Sequence, residues 1–148
     1  MSLVLGEEIK ELVNGALMGG HPMVIGVVGP QGRPRLSFRG SIQAFSDDAL
    51  GFWARNREGS TVKAIAANPH VALMLRVPSG PVVLQFAGRA RLASVEEGEQ
   101  VFAAAPEVER RADPEKKGVG VIIELDRVEG LLGLDPSGQR RFVRLTRD

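Results

Sequence analysis

Between Met23 and Leu92 the chain is built mostly of short apolar runs, each closed by a turn or a polar loop. Residues 23–28 read Met-Val-Ile-Gly-Val-Val, 50–54 Leu-Gly-Phe-Trp-Ala, 71–75 Val-Ala-Leu-Met-Leu, and 82–92 Val-Val-Leu-Gln-Phe-Ala-Gly-Arg-Ala-Arg-Leu. Runs of this length, rich in β-branched and aromatic residues, predict strands. Residues 35–45 alternate loosely and predict one further half-buried strand, with Gly40 as a bulge or a place where a ligand approaches the backbone. The links Gly29-Pro30-Gln31-Gly32, Ser46-Asp47-Asp48 and Pro78-Ser79-Gly80-Pro81 are turn sequences. Strands joined this way pair antiparallel, and six or more of them point to a barrel rather than a doubly wound sheet.

The remaining elements fit around that frame. Ile9, Leu12, Val13, Ala16 and Leu17 mark one face of a helix over residues 7–18, which Gly19-Gly20 ends. Gly88, inside the longest strand, predicts the bend that a closing sheet needs. Ser94 with Glu97 is a capping-box pair, predicting a helix over residues 95–104. Residues 107–117 carry dense charge of both signs and Pro114, which predicts a solvated, mobile connection. Residues 119–127, 129–134 and 140–145 read as two or three strands, with Asp135-Pro136-Ser137-Gly138 turning between the last two.

Composition narrows the function. With 148 residues, 43% apolar and 25% charged, the chain reads as a single domain over residues 1–148 with a proper core. A net charge of +1 favours neither nucleic acid nor an anionic membrane, and one Trp with no Tyr leaves little for base stacking. The absence of cysteine excludes disulfides and thiolate chemistry, and with two histidines a histidine-rich metal site is not expected. The N-terminus has no signal-peptide pattern and no apolar run reaches spanning length, so a cytoplasmic protein without a membrane partner is expected. His21, His70, Asp47 and Asp48 read as turn or packing residues. No nucleophile-base arrangement is legible, so any reaction is expected to rest on a cofactor.

The stretch from Trp53 to Pro69 carries the chemistry. A buried strand passes into Arg55, Asn56 and Arg57, then Gly59-Ser60-Thr61, then a short helix in which Ser60 or Thr61 reads as the N-cap. Free amides at a helix start, the positive end of its dipole and nearby arginines make an anion site. Solvated arginines and a hydroxyl that merely caps the helix would explain the same residues. Arg39 tips the balance toward a site, because it alternates with apolar residues on a neighbouring strand and faces the same cavity, where a guanidinium suits a phosphate.

Gly32-Arg33-Pro34-Arg35, the Asp47-Asp48 turn, Phe52-Trp53-Ala54-Arg55-Asn56, Ser60-Thr61 followed by Ala-Asn-Pro, and Gly88-Arg89-Ala90 come in an order and spacing that resemble the pyridoxamine 5′-phosphate oxidase-like, FMN-binding split-barrel superfamily. The resemblance runs from Met23 to the helix after Ser94. It implies a six-stranded antiparallel split β-barrel with a few short helices, working as a homodimer with FMN sites between subunits. It also implies cofactor contacts at Arg39, Gly40, Ser41, Ile42, Ala54, Arg55, Asn56, Ser60, Thr61 and Lys63. Ser60 and Thr61 stand where the oxidases carry two basic residues; Lys63 and Arg55 would restore charge there. Val83 or Leu84 replaces a flavin-binding glutamine, and the C-terminal Trp and Arg substrate motif is missing. These departures argue against oxidation of pyridoxamine phosphate itself. The expectation is an FMN-dependent oxidoreductase acting on a small organic molecule; a non-catalytic protein holding a flavin, F420 or haem in the same pocket is the alternative.

Overall fold

The computed structural model describes residues 3–147; Met1, Ser2 and Asp148, at the ends of the expected domain, lie outside the described residues. All strands join one antiparallel sheet, in the order β2-β1-β5-β6-β7-β4-β3 with β8 also on β7. The strands are β1 (Met23–Val28), β2 (Pro34–Arg39), β3 (Gln43–Ser46), β4 (Ala49–Ala54), β5 (His70–Val77), β6 (Val82–Leu92), β7 (Val119–Leu134) and β8 (Arg140–Thr146). Four helices accompany them: α1 (Glu7–Asn14), α2 (Ser60–Ala67), α3 (Val95–Ala104) and α4 (Glu107–Arg111). The architecture is a mainly-β split barrel, open between β2 and β3, with eight strands where six were expected.

Two differences in strand division stand out, one adding a strand and one removing one. The expected strand over 35–45 is two: β2 pairs with β1, whereas β3 pairs with β4. Gly40, Ser41 and Ile42 turn between them, and Ser41 and Ile42 are buried in that turn. An inward hydrophobic residue preserved the local alternation while the chain changed partner. Conversely, residues 119–134 are one strand. Its first part runs beside β4 and its later part beside β8 on the same edge, while β6 lines the other edge. The register of β6 on β7 shifts between Ala87 and Gly88, where a Cβ on Gly88 would lie 2.3 Å from the Glu124 carbonyl oxygen. The bend expected there depends on that missing side chain.

The core explains why β4 is buried along its whole length. Leu50, Phe52 and Ala54 face the barrel interior with Ile25, Leu73, Leu84 and Ile123, and α1 and α2 close that interior with Ile9, Val13, Val62 and Ile65. Ala49 and Trp53 face outward into a second cluster with Val101, Phe102 and Ile122, supplied by α3 and β7. Trp53 and Phe102 meet edge to face at 5.0 Å, an arrangement worth about 1 kcal/mol beyond burial. The Ser94–Glu97 capping box starts α3 as expected. Helix α1 stops at Asn14, short of the expected span, because Gly15 lets the chain leave the helix and the His21 amide donates back to the Ala16 carbonyl.

The charged segment 107–117 is also held. Asp113 is buried, and its carboxylate accepts from the Trp53 indole N–H at 2.8 Å and from the amides of Lys117 at 2.9 Å and Gly118 at 2.8 Å. Burial pushes this carboxyl up, but those three hydrogen bonds outweigh it and leave the group below its ordinary value.

Candidate functional site

The end of β2, the end of β4 and the start of α2 converge on one cavity. The strand ends meet because the chain leaves β2 through the 40–42 turn to become β3, which pairs with β4. Helix α2 starts there because the 55–59 loop is closed locally: the Asn56 side chain accepts from the Glu58 amide at 3.0 Å, and the Gly59 amide donates to the Asn56 carbonyl at 3.0 Å. The N-cap is Gly59, with no side-chain capping bond. Ser60 and Thr61 are therefore the first helical residues and not caps, as was expected of one of them. Their hydroxyls are free for other partners, and the amides of Ser60, Thr61 and Val62 have no acceptor within the helix.

Arg39 enters this helix start from β2. Its Nη2 donates to Thr61 Oγ1 at 2.7 Å, and its guanidinium carbon lies 5.5 Å from the centre of the buried Phe52 ring. Arg39 Nε is buried without a hydrogen-bond partner among the described residues. Burial, and then the like charge of Arg55, lower the pKa of this guanidinium from its ordinary value, while Glu109 raises it. A cation held against another cation with an orphaned donor is a site short of an anion.

The cavity has a volume of about 210 Å³ and is lined by Arg39, Ala54, Asn56, Gly59, Ser60, Thr61 and Val62. Half of the expected site residues thus meet in it. Arg55 is exposed at its rim, and Lys63 is exposed on the next part of α2. Ser41 serves the site from behind. Its hydroxyl accepts from the Trp53 amide at 2.9 Å and donates to the Trp53 carbonyl at 3.2 Å, which ties the β2–β3 turn to the end of β4. Ile42 packs in the core, 3% exposed. Gly40 abuts Glu109, whose carboxylate lies 3.1 Å from where a Cβ on Gly40 would sit. Sequence reasoning missed Glu109, because only the folded position of α4 brings it to Arg39.

A flavin phosphate fits these donors. Volume limits what enters: ligand pockets for molecules of that class run from roughly 300 to 1,000 Å³, so this cavity of about 210 Å³ would hold a phosphate and no ring system. Residues 5–129 match the family model for pyridoxamine 5′-phosphate oxidase. The chain belongs to the pyridoxamine 5′-phosphate oxidase family. Solved structures with the same fold include HupZ of Group A Streptococcus, with 20% identity over 84% of this chain and 91% of that one and a TM-score of 0.64. Another is PhzG of Burkholderia lata, in complex with tetrahydrophenazine-1-carboxylic acid, with 12% identity over 86% and 76% and a TM-score of 0.65. An F420 reductase has 19% identity over 72% and 87%, with a TM-score of 0.58. No curated protein is similar enough in sequence to match this family member. Among the described residues no helix is long and apolar enough to cross a membrane.

Proposed function

We propose that this member of the pyridoxamine 5′-phosphate oxidase family is an FMN-dependent oxidoreductase acting on a small organic substrate other than pyridoxamine phosphate, in the cytoplasm and as a homodimer. The observation that carries the reading is the half-buried Arg39, with its buried, unpartnered Nε beside the uncapped start of α2. Bound FMN supplies the hydride chemistry. Arg39 would take two phosphate oxygens, the amides of Ser60, Thr61 and Val62 would donate to the same group, and the two hydroxyls would complete its shell. Arg55 and Lys63 would add positive potential from the rim. No nucleophile-base pair lines the cavity, which suits equally the second reading, a cofactor-holding protein without turnover.

F420 carries a phosphate too and would use the same donors. Haem would need an axial ligand, normally His, Cys, Met or Tyr, from outside this cavity. The homodimer rests on the outer face of the sheet. Leu36 and Phe38 on β2 are 75% and 72% exposed, Phe142 on β8 is 74% exposed, and Met74 and Val83 lie in the strands between. Phe38, Val24 and Met74 are successive cross-strand partners, so they share one face. A second copy covering it would bury apolar surface that a monomer leaves in water and could wall the part of a flavin that the small cavity leaves outside. The absorbance spectrum of the purified protein, followed by titration with FMN, tests the assignment. Flavin bands and micromolar quenching of FMN fluorescence are expected; a colourless protein that leaves FMN fluorescence unchanged overturns it. Acceleration of reduced-FMN oxidation by an organic acceptor separates enzyme from carrier.

A further inference from the structure

Strand residues alternate between faces, so while Ala54 lines the Arg39 cavity, its neighbour Trp53 points to the other side of β4. There it floors a second crevice, of about 250 Å³, between α3 and the start of β7. Three features define that crevice. The first is Gly98, inside α3, where glycine weakens a helix. A Cβ added to Gly98 would meet only Trp53 Cζ3, at 3.9 Å. No neighbour demands the missing side chain, and the space it leaves is the crevice. The second is Lys116, held in the left-handed region at φ 54°, a conformation that costs energy for a residue with a side chain. It brings Nζ to the crevice, 5.0 Å from the Phe102 ring centre and 3.8 Å from Glu99. The third is Arg57. Its Nε donates to the Lys117 and Gly118 carbonyls at 2.9 and 3.0 Å, which fixes the guanidinium at the rim while its terminal nitrogens meet no acceptor among the described residues.

Arg57 and Lys116 set two cations against the Glu99 carboxylate at the mouth, above a flat aromatic floor whose indole N–H is already engaged by the Asp113 carboxylate. We propose that this crevice is a second ligand site, separate from the Arg39 cavity, for a small organic anion: a carboxylate on a single flat apolar ring. The carboxylate lies between Arg57 and Lys116, and the ring lies over Trp53 in the gap left by Gly98, against Val119. A volume of about 250 Å³ suits one ring and excludes fused tricyclic acids. The site does not rest on the flavin reading.

Trp53 is the one tryptophan of the chain, so its indole N–H gives a single resonance in a ¹H–¹⁵N spectrum of the full protein. Benzoate, benzamide and inorganic phosphate are the probes. Benzoate is expected to move that resonance to saturation with a Kd on the order of 0.1–1 mM, the range open to a ligand of this size. Benzamide, lacking the charge, binds at least about tenfold more weakly. Phosphate neither moves the resonance nor competes. Gly98→Leu fills the gap and abolishes the benzoate shift, and Lys116→Gln weakens it about fivefold or more, as loss of a charged partner does. Lys116→Gln leaves the Arg57 anchor in place, so it reports on charge even if loop variants misfold. The proposal is overturned by no movement at about 20 mM benzoate, by equal binding of benzamide, by competition from phosphate, or by undiminished binding in either variant.

Discussion

Replacing Arg39 by Met separates binding from folding, because binding falls steeply while the folding terms nearly cancel. The thioether chain matches the aliphatic stem and removes the charge. In the anion-bound protein Arg39 would make two charge-assisted hydrogen bonds, from the Nε that has no partner now and from a terminal nitrogen. At about 1.5–3 kcal/mol each, their loss is worth about 3–6 kcal/mol. The α2 amides and Arg55 recover part of this, so a loss near 3 kcal/mol is expected, about 100-fold in affinity. In the empty protein the terms nearly cancel. The variant forfeits the charge-assisted bond to Thr61, about 1.5–3 kcal/mol, and relieves a buried unpaired donor that costs about 1–3 kcal/mol. The apoprotein should therefore melt within a few degrees of wild type. FMN fluorescence titration gives the first number and a circular-dichroism melt without FMN gives the second. The reasoning is refuted by a variant that binds FMN within about threefold of wild type, or by one whose apoprotein melts more than about 4 °C lower, since Arg39 would then be a structural residue.

Phe38→Glu places a charge within the exposed apolar face; sedimentation should give twice the 15.9 kDa chain mass for wild type and one chain for the variant, and FMN affinity should fall with dimerisation. Asp113→Asn keeps the volume but turns an NH₂ group toward backbone amides, costing about 1–3 kcal/mol, read as a lower melting temperature and a shifted Trp53 emission. The folded Asp113 pKa is lowered, so its contribution is present above the ordinary carboxylate range and lost as pH falls through the folded value. The stability gap between wild type and Asp113→Asn should accordingly narrow below about pH 4. Glu97, held down from 4.5 to about 2 by the Arg91 guanidinium and then the Ser94 amide, should follow the same sign, its stabilisation of α3 fading from about pH 4.5 downward and gone near 2. Gly98→Ala should raise stability by about 0.5–1 kcal/mol, measurable by denaturant titration; a loss would mean that the crevice has no room even for a methyl group.

What was legible in the sequence depended on whether the cause was local. β1, β4, β5 and β6 declare themselves by apolar runs, and the Ser94–Glu97 cap by its spacing, because each depends on residues within a few positions. The split of residues 34–46 into two strands was not legible: the alternation persists across Gly40, and only the pairing partners change. The order of segment 107–117 was hidden for a related reason. Its charges read as solvated, while the contact that fixes it joins Asp113 to an indole sixty positions earlier. The anion site was legible as composition, since arginines and hydroxyls cluster near a helix start. Its geometry was not: Gly59 takes the cap, Thr61 receives Arg39, and Glu109 arrives from a helix the charge pattern did not announce.

The pairing of β4 with the first part of β7 has a consequence for how the chain is made. On the ribosome β4 emerges with β3 on one edge and nothing for the other until the segment beginning at Val119 has been translated. Through that interval a strand destined for complete burial offers its open edge and its Phe and Trp to any nascent or misfolded neighbour. Closing so long a loop makes its capture by β7 a slow step. Premature termination before Val119 should therefore yield aggregates rather than a truncated barrel, and the yield of intact protein should depend on how quickly synthesis passes through the α3 and α4 region.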